Sequence, residues 1–259
     1  MMSEKKNEKV LDNLKALFEQ LFKKERSESY RDIFREVYGD DYPEELNPDS
    51  FVTMTDLRTI AKNLKIGPGK SFIDLGCGRG GPGLWITRET GANYIGIDLS
   101  ENAIKQAQHR SVDFKINNTT KFQVGNMYSL NFPENSFDGA ISIDVISFIP
   151  DPLSVIKEAA RVLRSEAYFV FTTWENKNSK VINDYRPYLE DAGFSIKSYS
   201  ETPDWKKRQS EVYQKTLELK KELIKDMGRD GAFAYIMEAK TYLPIIDDIK
   251  RILAIARKI

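Results

Sequence analysis

The stretch "FIDLGCGRGGPG", Phe72 to Gly83, decides the fold and can be read in two registers. Gly76, Gly78 and Gly81 satisfy G-x-G-x-x-G, the dinucleotide-binding turn. Asp74, Gly76, Gly78 and Gly80 satisfy acid-x-G-x-G-x-G instead, and there the acid belongs to the pattern. In both registers the glycines let backbone pass close to a ligand at a helix N-terminus. Ser71–Leu75 just ahead is an apolar strand, and Pro82 falls near the first turn of a helix, where its missing N–H costs nothing. The unit is strand, glycine turn, helix.

Outward from this loop the unit repeats. "ANYIGID" reads as a second strand, Ser100 as the cap of the helix "ENAIKQAQHR", and "KFQVGN" as a third strand. "FDGAISID" is a fourth, followed by a helix from about Pro152 to Leu163, and "AYFVFTTW" is a fifth. The helix "VINDYRPYLEDAG", stopped by Gly193, leads into a sixth strand, "FSIKSYS", and "RILAIAR" is a seventh. Such alternation implies right-handed crossovers and a parallel sheet covered on both faces, an α/β fold with ligands at the C-terminal ends of the strands. We expect a helical N-terminal cover over residues 1–65, a cofactor-binding core over 66–202, a helical lid insertion over 203–248 and a terminal core strand over 249–259. The insertion is read from Tyr213, Leu217, Ile224 and Met227, which recur at helical spacing.

Composition narrows the partners. Lys plus Arg and Asp plus Glu both number 39, so the net charge is zero and offers no footprint for a nucleic acid backbone. Cys77 is the only cysteine, which suits a reducing, cytoplasmic setting. No segment approaches the roughly 18 apolar residues of a membrane span; Leu14, Leu17, Phe18 and Leu21 point to a docked amphipathic helix instead. The one histidine, His109, lies in a polar helix, and without a Cys/His cluster no metal site is expected. With no histidine near it in sequence, Cys77 reads as packing and backbone rather than as a nucleophile. The expected state is a monomer or homodimer.

Two carboxylates bear on the choice of register. Asp74, two residues ahead of Gly76, would repel a pyrophosphate and attract an ammonium group; the alternative is a carboxylate that caps loop N–H groups. Asp98 closes the second strand 20 residues beyond Gly78, where a carboxylate accepts from both hydroxyls of a ribose or else caps the next helix. Both candidate cofactors contain that ribose.

The later elements break the tie. "VGNM" after strand three, "SFDGAISIDVISFIPDP" through strand four and its loop, and "EAARVLR" running into strand five resemble, with the glycine loop, the class I S-adenosylmethionine-dependent methyltransferases, especially the small-molecule branch. The resemblance covers about residues 50–200, more weakly the last strand. It implies a doubly wound, Rossmann-like seven-stranded sheet with the last strand antiparallel, S-adenosylmethionine as cofactor and a small-molecule methyl acceptor. It also implies that Asp74, Gly76, Cys77, Gly78 and Gly80 face the methionine part, Asp98 the ribose, and Leu99, Asn126 and Met127 the adenine. Three departures stand out: Asn126 where Asp is usual, Ser165-Glu166-Ala167 in place of Pro-Gly-Gly before strand five, and Ser147-Phe148 where a histidine is often found. "DVIS" after strand four argues against enzymes that methylate amide-like nitrogens of nucleic acids or proteins.

With no imidazole in place, Asp144 and Glu175 are the candidate proton acceptors; for Asp144 the alternatives are a cap or a partner for the cofactor's amino group. Ser147 and Trp174 lie where a substrate wall is expected. Tyr30, Phe34 and Tyr38 recur every four residues, and Tyr30 and Tyr38 are assigned to the substrate pocket against the alternative of a core stripe. The rival readings are a nicotinamide-dependent oxidoreductase and a non-catalytic cofactor-binding protein of the same fold.

Overall fold

The computed structural model describes residues 2–23, 27–177 and 182–259. Seven strands form one sheet in the order β3-β2-β1-β4-β5-β7-β6: β1 (Ser71–Leu75), β2 (Asn93–Asp98), β3 (Thr120–Val124), β4 (Phe137–Ile143), β5 (Leu163–Asn176), β6 (Phe194–Glu201) and β7 (Ile249–Lys258). The first five are parallel, and β7 runs antiparallel to both β5 and β6, as the resemblance implies. The order reverses between β1 and β4, so a crevice opens beyond their C-terminal ends. The central strands are apolar throughout because helices cover both faces. Ile73, Leu75, Ala140 and Phe169 pack into one core, Phe72, Ile141 and Val170 into the other.

The helices between strands begin at polar caps: Ser100 accepts from the Ala103 amide (3.1 Å) at the start of α5 (Glu101–Asp113), and Asp151 from the Ser154 amide (3.2 Å) at α6 (Pro152–Val162). Three further helices precede β1: α1 (Met2–Leu21), α2 (Glu28–Tyr38) and α3 (Met54–Leu64), with α4 (Gly81–Thr90) following the glycine loop. A reciprocal Thr53/Asp56 capping box starts α3, whose Leu57, Ile60 and Leu64 pack with Phe72 and Ile141. α3 is thus a layer packed on the sheet. α1 reaches α5, where Glu19 accepts from the Glu101 (2.5 Å) and Asn102 (3.4 Å) amides.

The helix expected over "VINDYRPYLEDAG" begins at Val181, which lies outside the described residues; its described helical part is α7, Arg186–Asp191. The insertion forms α8 (Trp205–Glu218) and α9 (Lys220–Tyr242), the latter broken at Gly228, where φ is +75°. Tyr213, Leu223, Tyr235 and Ile236 from these helices close over Tyr30, Ile33 and Phe34 of α2 in a third apolar cluster. Strand five starts earlier than expected, because Ser165-Glu166-Ala167 forms a bulge between the pairs Phe137–Leu163 and Gly139–Tyr168. Glu166 holds φ at +69° there, and its carboxylate pairs with Arg257. Among the described residues no helix is long and apolar enough to cross a membrane.

Candidate active site

The loop after β1 distinguishes the two registers. Gly76, Gly78 and Gly80 have φ of +78°, +52° and +76°, whereas Gly81 has an ordinary negative φ as the first residue of α4. The left-handed residues are thus the three glycines of the acid-containing pattern. A Cβ on Gly76 would also stand 2.6 Å from Val145 Cγ1, so the β1 and β4 tips meet here with no room for a side chain. Gly76 and Cys77 donate their amides to Ile97 O (2.9 and 3.0 Å), tying the loop to the end of β2. Burial pushes the Cys77 thiol well above its usual range, which disfavours the thiolate.

Asp74 is 1% exposed. Its Oδ2 accepts from the Tyr94 hydroxyl at 3.1 Å, and its Oδ1 is buried without a partner. Burial raises its pKa to about 7; the Tyr94 bond works against that rise and the nearby Asp98 charge adds to it. Ionised Asp74 therefore costs the ligand-free fold on the order of 4 kcal/mol. The sign is that of a raised acid: the penalty is absent below the ordinary carboxyl pKa, grows as pH rises toward 7 and is constant above it. A cation at Oδ1 would relieve it. Binding of S-adenosylhomocysteine, which carries such an ammonium group, is expected to weaken by about tenfold per pH unit below about 7. Calorimetry at pH 6 and pH 8 giving one affinity would remove Asp74 from the site.

Asp98, at the end of β2, accepts from the Gly78 amide (2.8 Å) on Oδ2 and from the Ser100 amide (2.9 Å) on Oδ1. It therefore caps the loop and α5 together, and each oxygen keeps a lone pair for a hydroxyl donor. Burial holds its pKa above the usual carboxylate value despite these amides. Beside it Leu99 is half-buried, Met127 is buried and Asn126 is exposed, its Oδ1 accepting from the Tyr128 amide at 3.0 Å. Asp98→Ala is expected to weaken cofactor binding by about tenfold or more through lost charge-assisted bonds. An unchanged affinity in the folded variant would count against the ribose assignment.

Asp144 lies at the β4 tip with φ of +57° and a buried carboxylate. Its two oxygens receive Arg251 Nε and Nη2 at 3.0 Å each, and Oδ2 also receives the Phe51 amide at 3.1 Å. Arg251 Nη1 reaches Asp56 Oδ2 at 2.7 Å and Thr202 Oγ1 at 3.2 Å. Burial alone would depress the Arg251 pKa, but the two carboxylates more than offset it and hold it above its ordinary value. This arrangement engages both oxygens of Asp144, the structural alternative to the catalytic role expected of it. It ties β4, β7, α3 and the segment before α3 together. Neither Arg251 nor Asp56 was singled out in the sequence.

A solvent-open cleft enclosing about 550 Å³ lies between the tips of β4 and β5 and the insertion. Ser147, Trp174 and Glu175 line it, together with Phe148, Tyr213, Glu238 and Tyr242, which sequence reasoning had not assigned to the site. Glu175 is 7% exposed, and burial raises its pKa although its Oε1 accepts from the Tyr199 hydroxyl. Tyr30 does not line the cleft. It is 1% exposed between α2 and α9, 4.2 Å from the Tyr235 ring centroid, which is the core-stripe alternative. Tyr38 faces a separate small crevice with Trp205, Arg208 and Arg251. Helical spacing of aromatics cannot distinguish a helix that faces the cleft from one that packs behind the cleft's wall. His109 is exposed on α5, and among the described residues no group of His, Cys, Asp or Glu is arranged to hold a metal ion.

Residues 73–171, which carry this glycine loop and the switch point, match the methyltransferase domain family. The chain is similar to methyltransferase phqN of Penicillium fellutanum, 30% identical over 139 residues, covering 52% of this chain and 43% of that protein. It is 28% identical over 194 residues to sterol 24-C-methyltransferase of Yarrowia lipolytica, covering 74% of this chain and 49% of that one. The matched stretch thus spans less than half of either relative. The fold is shared with geranyl diphosphate C-methyltransferase of Streptomyces coelicolor A3(2), at a TM-score of 0.68 and 15% identity over 96% of this chain and 98% of that chain. These matches favour the acid-containing register and give no support to the nicotinamide reading.

Proposed function

We propose that the protein transfers the methyl group of S-adenosylmethionine to N, O or C of a small molecule held in the cleft between the β4 and β5 tips and the α8–α9 insertion. The observation that carries this reading is the unpartnered, buried Oδ1 of Asp74 beside a loop whose left-handed glycines keep the acid register. Asp74 would take the ammonium group, the Gly76–Gly80 backbone the methionine chain, Asp98 the ribose hydroxyls, and Leu99, Asn126 and Met127 the adenine. When bound, the cofactor supplies a methyl on a sulfonium that leaves as a neutral thioether. The chain's own task is then to align the acceptor and exclude water. Trp174 helps close the cleft, its ring edge-on to Phe51 (5.8 Å) and Trp205 (5.6 Å). Glu175, which lines the cleft, would take a proton from the acceptor.

A cytoplasmic location and a monomer or homodimer accompany this reading, and a net charge of zero disfavours a nucleic acid partner. Incubation with methyl-labelled S-adenosylmethionine and a host metabolite extract is expected to label one or a few small molecules. Tight S-adenosylhomocysteine binding with no labelled product would instead support a non-catalytic cofactor-binding protein.

A further inference from the structure

We propose that Tyr94 is a positioning residue for the cofactor: its hydroxyl holds one oxygen of Asp74 so that the other is left to meet the ammonium group. The inference rests on the methyl-transfer reading above. Tyr94, on β2, is fully buried; its hydroxyl donates to Asp74 Oδ2 at 3.1 Å, while Oδ1 is buried without a partner. Packing fixes the ring. It stacks on Phe72 (5.1 Å between centroids, 8° between planes) and stands edge-on to Phe122 (5.2 Å). Two glycines make the space for its tip: a Cβ on Gly83 of α4 would lie 2.6 Å from the Tyr94 hydroxyl oxygen, and one on Gly96 of β2 would lie 3.0 Å from it. A phenylalanine would serve the core equally well; only the hydroxyl addresses Asp74.

The titratable groups that act on Asp74 are Tyr94 itself, Asp98 at the end of β2 and Cys77 in the loop. Burial raises the Cys77 thiol and the Tyr94 phenol well above their ordinary values, so both are neutral and neither is a counter-charge. Asp98 repels. Against burial and Asp98, which both raise the Asp74 pKa, the Tyr94 bond works to keep the carboxylate ionised, as an ammonium partner requires. The same bond divides the two oxygens between tasks: Oδ2 is held inside the fold, and Oδ1 keeps its lone pairs for the ligand.

S-adenosylhomocysteine and 5′-methylthioadenosine, which lacks the ammonium group, are titrated by calorimetry into the full chain and into its Tyr94→Phe variant. Loss of the bond raises the Asp74 pKa, so binding that needs the carboxylate should begin to fail about one pH unit higher. At pH 7 the variant is expected to bind S-adenosylhomocysteine about fivefold more weakly, with the deficit shrinking by pH 9, where both proteins hold Asp74 ionised. Its affinity for 5′-methylthioadenosine should be unchanged. A loss equal for both ligands, or of one size at pH 7 and pH 9, would mark a packing defect and overturn the proposal, as would an unchanged S-adenosylhomocysteine affinity. Should Tyr94→Phe not fold, the isotope-labelled Cζ carbon of Tyr94 in the unmodified protein decides the matter: its chemical shift is expected to follow Asp74 through a titration centred at about 7. A shift that stays flat across that range would overturn the proposal. Absent S-adenosylhomocysteine binding to the unmodified protein defeats the parent reading, whereas normal binding that is indifferent to Tyr94 defeats only this inference.

Discussion

Replacing Arg251 by methionine is expected to lower the stability of the fold by about 3–5 kcal/mol and its melting temperature by about 10 °C. Arg251 is 1% exposed, and its guanidinium is shared by two carboxylates, Asp56 and Asp144, that are themselves buried. Methionine fills much of the volume, so the loss is not one of packing. It comes from leaving two carboxylates in a dry site without a counter-charge, and such a deletion costs far more than the intact network contributes over an apolar one. The triple variant Arg251→Met, Asp56→Asn, Asp144→Asn is therefore expected to recover part of the loss, since no charge is then stranded. Recovery should be incomplete, because Asp144 also accepts the Phe51 amide and Asp56 closes the α3 capping box. Denaturation midpoints that coincide for the single variant and the unmodified protein would show that these carboxylates do not depend on Arg251.

The parts that were legible in the sequence are those set by local pattern. Strands β1, β2, β4 and β6 fall within a residue or two of the apolar runs that announce them, and the glycine loop carries its register in the spacing from Asp74. The Arg251 network was not legible. An arginine at the head of "RILAIAR" looks like the polar edge of a strand, and its partners lie 107 and 195 residues away in the chain. Nothing local marks that meeting. The same holds for Glu238, which has the look of a solvated helix position until α9 folds back over the β5 tip. For Tyr30 and Tyr38 the periodicity marks a helix, but which surface α2 packs against depends on an insertion some 170 residues later.

Glu175→Gln is expected to reduce kcat by about 10²-fold or more on the acceptor found by labelling, with S-adenosylhomocysteine affinity little changed. Glutamine keeps the shape of the side chain and an amide oxygen to accept the Tyr199 hydroxyl, so the cleft wall should stand. Proton uptake is what it loses. Because burial raises the Glu175 pKa, with Tyr199 opposing, activity of the unmodified protein should begin to fall at a higher pH than an ordinary glutamate would set, as the base becomes protonated. Asp144→Asn should not share this profile. Its loss is expected in denaturation, since its oxygens serve Arg251 and Phe51. The pH dependence of the Glu175→Gln deficit then separates a base from a residue that merely shapes the wall. If Glu175 takes the proton, the deficit shrinks as pH approaches the acceptor's own pKa, where the acceptor arrives already deprotonated and needs no base. If Glu175 only positions the acceptor, the deficit is the same at every pH, and that flat ratio would end the catalytic assignment.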